Sequence, residues 1–200
     1  ASSRQFAFAT LNDNCYFSRA YDQLSKFNGS TVTAITATNT PSCAFLAVKG
    51  RRMFGAGSAT DPSKLYYSEL DDAEDWGKSG TQNGIYVAGQ DAGGTCTGLA
   101  VANDLLYFFS QSRTYGLDTR GLPANWESRC LSDSHGCVAP NSIAVAPNGV
   151  IFLAADGVRS HGTVQGVYSD DGSAFVTLSD NIKPTLMAHT DAEKAAAIGA

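Results

Sequence analysis

Cys130, His135 and Cys137 come nearest, in residue type and spacing, to a reactive centre in this chain. Thiolate and imidazole are zinc ligands, but a structural zinc site takes four ligands, commonly as closely spaced pairs. Here the spacing is irregular and the fourth ligand is missing. Ser132, Asp133 and His135 bring together the residue types of a hydrolytic triad. They lie too close along the chain for the usual geometry, and no G-x-S-x-G elbow surrounds any serine. Asp71, Asp72, Glu74 and Asp75 could supply the two carboxylates of a glycosidase, but so tight an acidic run reads more simply as a solvated loop.

Weaker signals fare no better. Asp170-Asp171-Gly172-Ser173 lacks the alternating ligands and closing Glu of a calcium loop and reads as a turn. Asp91-Ala92-Gly93-Gly94 shares only composition with a phosphate loop, because no Walker lysine follows. Tyr66, Tyr67, Trp76, Tyr107, Phe108, Phe109 and Trp126 could form a sugar platform; the plainer reading packs them between sheets. The sequence thus assigns no catalytic residue, no metal ligand and no cofactor, and the chain is expected not to be an enzyme.

The bulk chemistry narrows the classes further. A hydrophobic fraction of 43% with only 16% charged residues predicts a folded core rather than disorder. The net charge of −5 offers no electrostatic footprint for nucleic acid or an anionic membrane, so no sequence-specific nucleic-acid binding is expected. No apolar run approaches the length of a membrane-spanning helix, and no signal peptide is apparent. The sequence begins without Met, as a processed chain or a segment of a longer one would. The five cysteines, Cys15, Cys43, Cys96, Cys130 and Cys137, are odd in number and include no C-x-x-C pair. Most are expected to be small buried hydrophobes in a reducing compartment, with Cys130 and Cys137 able to close a loop under oxidation.

The elements that must hold these residues are strands, and they repeat. Ala9-Thr10-Leu11-Asn12-Asp13-Asn14-Cys15-Tyr16-Phe17 matches Ala100-Val101-Ala102-Asn103-Asp104-Leu105-Leu106-Tyr107-Phe108. In both, an apolar strand enters an Asn-Asp turn and an aromatic strand leaves it. Ala144 to Phe152 repeats the pattern with Pro-Asn-Gly as the turn, and Ala47 to Phe54 is the weakest copy. The leading alanines, Ala9, Ala47, Ala100 and Ala144, recur roughly 45 residues apart, the length of a four-stranded propeller blade. Asn, Asp and Gly tolerate left-handed backbone and so favour these tight reversals.

Further strands are predicted at 23–27, 31–36, 64–68, 85–87, 113–117 and 157–160. Thr190 to Ala197 is the best helix signal, with Thr190 as N-cap and Glu193 three residues on; Pro184 interrupts the approach to it. The expected fold is all-β, with about four propeller-like antiparallel blades over 1–185 and a connector or the start of a further unit over 186–200. Four blades suggest part of a larger propeller. Phe17, Tyr107, Phe108 and Phe152, on equivalent blade strands, are expected to be buried.

One stretch carries a resemblance. Tyr66-Tyr67-Ser68-Glu69-Leu70-Asp71-Asp72-Ala73-Glu74-Asp75-Trp76 resembles a phrase of β-propeller virion proteins of tailed bacteriophages, in which a Tyr-x-Ser strand end leads to an acidic loop and a Trp. Phe45 to Val48 and Arg51 to Gly57 ahead of it, Gly98 to Ser110 and Arg113 to Leu117 behind it, and then Gly136 to Ile143 and Gly149 to Val158, follow the same order. The order is similar to the tail tubular, or nozzle, and related neck proteins over roughly residues 8–185, although those are usually much longer. The resemblance implies a structural subunit of a cyclic ring, six-fold in that family, through which DNA passes. It implies copies of itself and tail, adaptor or portal proteins as partners, and a virion location after assembly in the bacterial cytoplasm. A carbohydrate-binding or glycan-cleaving propeller and a cellular scaffold propeller are the alternative readings.

Overall fold

The computed structural model describes residues 6–19, 22–77, 83–86, 94–147, 149–162 and 175–198. Among these, strands build four antiparallel sheets of four strands each, and in every sheet the strands pair in the order in which they occur along the chain. Sheet 1 holds β1 (Phe6–Leu11), β2 (Asn14–Arg19), β3 (Ser25–Phe27) and β4 (Val32–Ala34). Sheet 2 holds β5 (Phe45–Lys49), β6 (Arg52–Ala56), β7 (Lys64–Tyr67) and β8 (Gly84–Tyr86). Sheet 3 holds β9 (Gly98–Ala102), β10 (Leu105–Phe109), β11 (Thr114–Asp118) and β12 (Glu127–Ser132). Sheet 4 holds β13 (Ala144–Ala146), β14 (Gly149–Ala154), β15 (Gly157–Gly162) and β16 (Phe175–Thr177). The chain divides into two compact units, residues 1–95 with sheets 1 and 2 and residues 96–200 with sheets 3 and 4.

The turn chemistry explains the first hairpin of sheets 1, 2 and 3. Asn12 and Asp13 both adopt positive φ (50° and 61°), as do Asn103 and Asp104 (48° and 60°). Two successive left-handed residues make the tight turn whose twist matches its flanking strands, and the pairs Leu11↔Asn14 and Ala102↔Leu105 close directly across it. In sheet 2 the same corner is Gly50-Arg51, with Lys49↔Arg52 across it. The four leading alanines fall at matching register positions. Ala9 faces Tyr16, Ala47 faces Phe54, Ala100 faces Tyr107 and Ala144 faces Ile151. A small residue opposite a large one lets each pair fill a uniform sheet-to-sheet gap.

Each unit has its own apolar core. In the first, Leu11, Tyr16, Leu24 and Ile35 of sheet 1 and its following loop pack against Cys43, Met53, Tyr66, Ala73 and Trp76. In the second, Ala100, Ala102, Tyr107 and Phe109 of sheet 3 pack against Cys137, Val150, Phe152 and Ala154. Phe109 and Phe152 meet across this interface with ring centroids 4.9 Å apart.

Three expectations are corrected. Phe17 is only half-buried, whereas Tyr107, Phe108 and Phe152 are at most 1% exposed; the side of sheet 1 that carries Phe17 is open. Pro184 does not interrupt a helix but sits in the first turn of α1 (Lys183–Met187), where its missing N–H costs no hydrogen bond. The strand expected at 31–36 is confined to Val32–Ala34, because the Asn28 carboxamide accepts the N–H groups of Ser30 and Thr31 and holds them in a turn. The helix expected near 190 is α2 (Asp191–Ala195), closed by a reciprocal Thr190–Glu193 capping box. No helix among the described residues is long and apolar enough to cross a membrane.

Candidate functional site

Two polar clusters concentrate the chain's ionisable groups, one in each unit. The first is the segment Glu69 to Trp76, which follows β7. Its strand end is fixed from inside: buried Ser68 accepts the Met53 N–H at 3.0 Å and donates to the Glu69 carbonyl at 2.9 Å. Its far end is fixed by Trp76, 1% exposed, whose indole N–H donates to the Ala73 carbonyl at 2.8 Å. Between them the acidic residues reach outward. Asp71 pairs with Arg51, Glu69 with Arg52 at 3.6 Å and Glu74 with Lys26 of sheet 1. The Asn12 carboxamide donates to the Asp71 carbonyl at 2.6 Å. The acidic run expected as a solvated loop is therefore a clasp that ties sheet 2 to sheet 1.

A groove of about 340 Å³ lies beside this clasp, lined by Ala37, Thr38, Asn39 and the stretch Asp72 to Gly77 except Ala73. Its carboxylates are occupied locally. Asp72 accepts the Glu74 N–H at 2.9 Å, and Asp75 accepts the Gly77 N–H at 3.0 Å. The groove thus presents turn-forming carboxylates and a buried indole.

The second cluster gathers Ser132, His135, Asp156 and Arg159. The acid that faces His135 is not Asp133 but Asp156, in the turn between β14 and β15. Its Oδ2 lies 3.8 Å from His135 Nε2. Ser132 Oγ lies 3.1 Å from Nδ1 on the other side of the ring. Serine, imidazole and carboxylate do line up, but each is committed elsewhere. Ser132 Oγ already accepts the His135 and Ser134 N–H groups at 3.0 and 3.4 Å. Arg159 holds both Asp156 oxygens, with Nε 3.2 Å from Oδ1. Burial pushes the Asp156 carboxyl up, but the Arg159 guanidinium outweighs it, with help from His135, and holds that carboxyl below its ordinary range. A 3.8 Å gap is also beyond hydrogen-bond reach. The arrangement anchors the loop after β12 on the β14–β15 turn.

The other candidates are dispersed. Cys130 is exposed on β12 and Cys137 is buried, its thiol donating to the Ala139 carbonyl at 3.0 Å. All five cysteines are free thiols. Burial raises the Cys137 and Cys96 thiols above the usual range, which makes both poor nucleophiles. Among the described residues no three His, Cys, Asp or Glu side chains converge as a metal site. Of the aromatics considered as a sugar platform, Tyr66, Trp76, Tyr107, Phe108, Phe109 and Trp126 are buried and Tyr67 is half-buried beneath Arg52. Burial also pushes the Tyr66 hydroxyl up to about 12. Residues 170–173 and 91–93 lie outside the described residues.

Arg159 and Asp156 escaped the sequence reading. Their only signal was the Ala155-Asp156-Gly157 turn, which announces a reversal and not an ion pair.

No protein-family model and no curated protein matches the sequence. Solved structures do match in fold. The chain is similar to the extracellular domain of the putative one-component system BT4673 from B. thetaiotaomicron, with a TM-score of 0.54 at 9% identity. It is also similar to the N-terminal domain of Nup159, with a TM-score of 0.53 at 12% identity. The matches cover 89% and 92% of this chain but only 22% and 47% of those chains. The chain therefore spans about a fifth and about half of their lengths. At such identities the likeness concerns the fold alone.

Proposed function

We propose that this chain is a structural, propeller-type subunit of a bacteriophage tail or neck ring, its four sheets serving as blades. The observation that carries the reading is the fate of the Tyr66 to Trp76 phrase. Its acidic residues close local turns or pair within sheet 2, and Asp71 and Glu74 also reach Asn12 and Lys26 of the first hairpins. Tyr66 and Trp76 enter the core, Ser68 seals a strand end, and Glu69, Asp71 and Glu74 are ion-paired. The blade length and sequential strand order support the propeller arrangement, and the resemblance of the phrase to phage nozzle proteins supports the location. A net charge of −5 suits a ring that passes DNA without retaining it.

The test is the native mass of the purified chain, by light scattering and by electron microscopy of the same sample. A cyclic particle of several copies supports the reading. A monomer that binds glycans overturns it in favour of a carbohydrate-binding propeller.

A further inference from the structure

Each sheet has two faces, one carrying the leading alanine and one carrying the aromatic position equivalent to Phe17. In sheet 4 the second face holds Val150 and Phe152, both 0% exposed, and it is covered by the alanine face of sheet 3. In sheet 2 the corresponding face holds Met53, 0% exposed, and the Ala9 face of sheet 1 covers it. In sheet 3 it holds Leu106 and Phe108, at 0% and 1%. Sheet 1 breaks the rule. Phe6, Phe8, Phe27 and Val32 are 52%, 64%, 38% and 63% exposed. Phe6, Phe8 and Phe17 form a three-ring cluster with centroids 6.0–6.2 Å apart, and the pairings Phe8↔Phe17, Cys15↔Phe27 and Phe27↔Val32 extend it across all four strands.

We propose that this open face of sheet 1 docks the alanine face of sheet 4 from a second copy of the chain. The occupant follows from the packing rule within the units: both Phe17-type faces whose cover is identified lie under the alanine face of a neighbouring sheet. Sheet 4 offers the outer part of such a face through Ala144 and Ile151, which pair with each other and are half-buried, while Leu153 and Ser160 on the same face are already buried. A contact between different faces of identical chains is head-to-tail and propagates until the rotation closes. The docking face contains one charged side chain, Arg19, lying over the Phe6 ring at 5.9 Å, so apolar burial drives the association. Because each copy carries −5, added salt strengthens it by screening mutual repulsion.

The inference rests on the reading of the chain as an assembling subunit, and the experiment separates the two. Sedimentation and light scattering of the wild-type chain over a concentration series are compared with Phe6→Glu/Phe8→Glu and Ile151→Glu. The expected result is association of wild type and none for either variant alone. A one-to-one mixture of the two variants, each keeping one intact face, then doubles its mass and stops. Alkylation provides a readout that needs no mutation: with association, Cys15 on the docking face reacts several-fold more slowly at high concentration, while exposed Cys130 does not change. Wild type that assembles with the double variant unaffected overturns the docking face but leaves the subunit reading intact. Wild type that stays monomeric, with Cys15 equally reactive at all concentrations, overturns both.

Discussion

The hydroxyl of Tyr107 on β10 lies 2.9 Å from Nδ1 of His161 on β15, and the two rings meet edge to face at 5.4 Å. Sheets 3 and 4 thus share a hydrogen bond inside an interface that is otherwise aromatic and aliphatic. Tyr107 is 0% exposed, so its hydroxyl depends on protein partners. Replacing Tyr107 with Phe removes that bond and should lower unfolding stability by about 1 kcal/mol. Tyr107→Ala also empties the ring's volume and should cost about 3–5 kcal/mol. Chemical denaturation of both variants checks the two figures. Equal losses would mean that the hydroxyl carries the whole effect.

The same pair makes the second unit sensitive to acid. Burial holds the His161 imidazole below its ordinary value of 6.5. The unfolded chain therefore takes up this proton before the folded chain does. Stability should fall as pH drops below about 6.5 and level off once the folded imidazole also titrates. His161→Gln should remove this part of the slope. Denaturant midpoints between pH 7.5 and 5 provide the measurement, and identical profiles for variant and wild type would refute the assignment.

Ion pairs of similar appearance should differ in weight. The Arg159 side chain is 12% exposed and bidentate on Asp156, whereas that of Arg51, opposite Asp71, is 73% exposed. Arg159→Met should destabilise by about 1 kcal/mol, since Asp156 is itself a third exposed and partly screened. Arg51→Ala should leave the denaturation midpoint essentially unchanged, because solvent screens that pair. His135→Ala, which removes the 3.8 Å contact to Asp156 and the ring's bonds to Ser132 and Ser134, should leave assembly intact. Metal analysis of wild type and His135→Ala should give the same result.

Gly136 should tolerate no side chain. A Cβ there would sit 2.1 Å from the Ser110 carbonyl oxygen and 2.5 Å from the Arg113 nitrogen. Both are backbone atoms that cannot swing away, and Ser110 is tied to this loop by the Cys137 N–H at 2.9 Å. Gly136→Ala is expected to cost about 2–3 kcal/mol, read as a lowered melting temperature. An unchanged melting temperature would show that the loop after β12 is not pressed against the Ser110 turn.

The hairpins could be read from the sequence because their cause is local. Asn12-Asp13 and Asn103-Asp104 each sit between two apolar runs, and the left-handed backbone they permit decides the reversal within four residues. The clasps could not be read, because their partners are distant. Asp71 meets Asn12 from 59 positions away, and Glu74 meets Lys26 from 48. Asp133 was the obvious acid for His135 by proximity, but the β14–β15 turn delivers Asp156 to the same ring. The open face of sheet 1 was hidden for a related reason. Periodicity assigns Phe17 to a face, as it does Phe108, but burial depends on what a neighbouring sheet supplies.

The strict order of pairing has a consequence for how the molecule is made. Every described ladder joins strands that follow one another in the chain, so no strand waits for a partner synthesised much later. Each sheet can close once its own stretch of about 45 residues has left the ribosome. Such nearest-neighbour closure keeps loop entropy low and limits the time that bare strand edges stay exposed during synthesis.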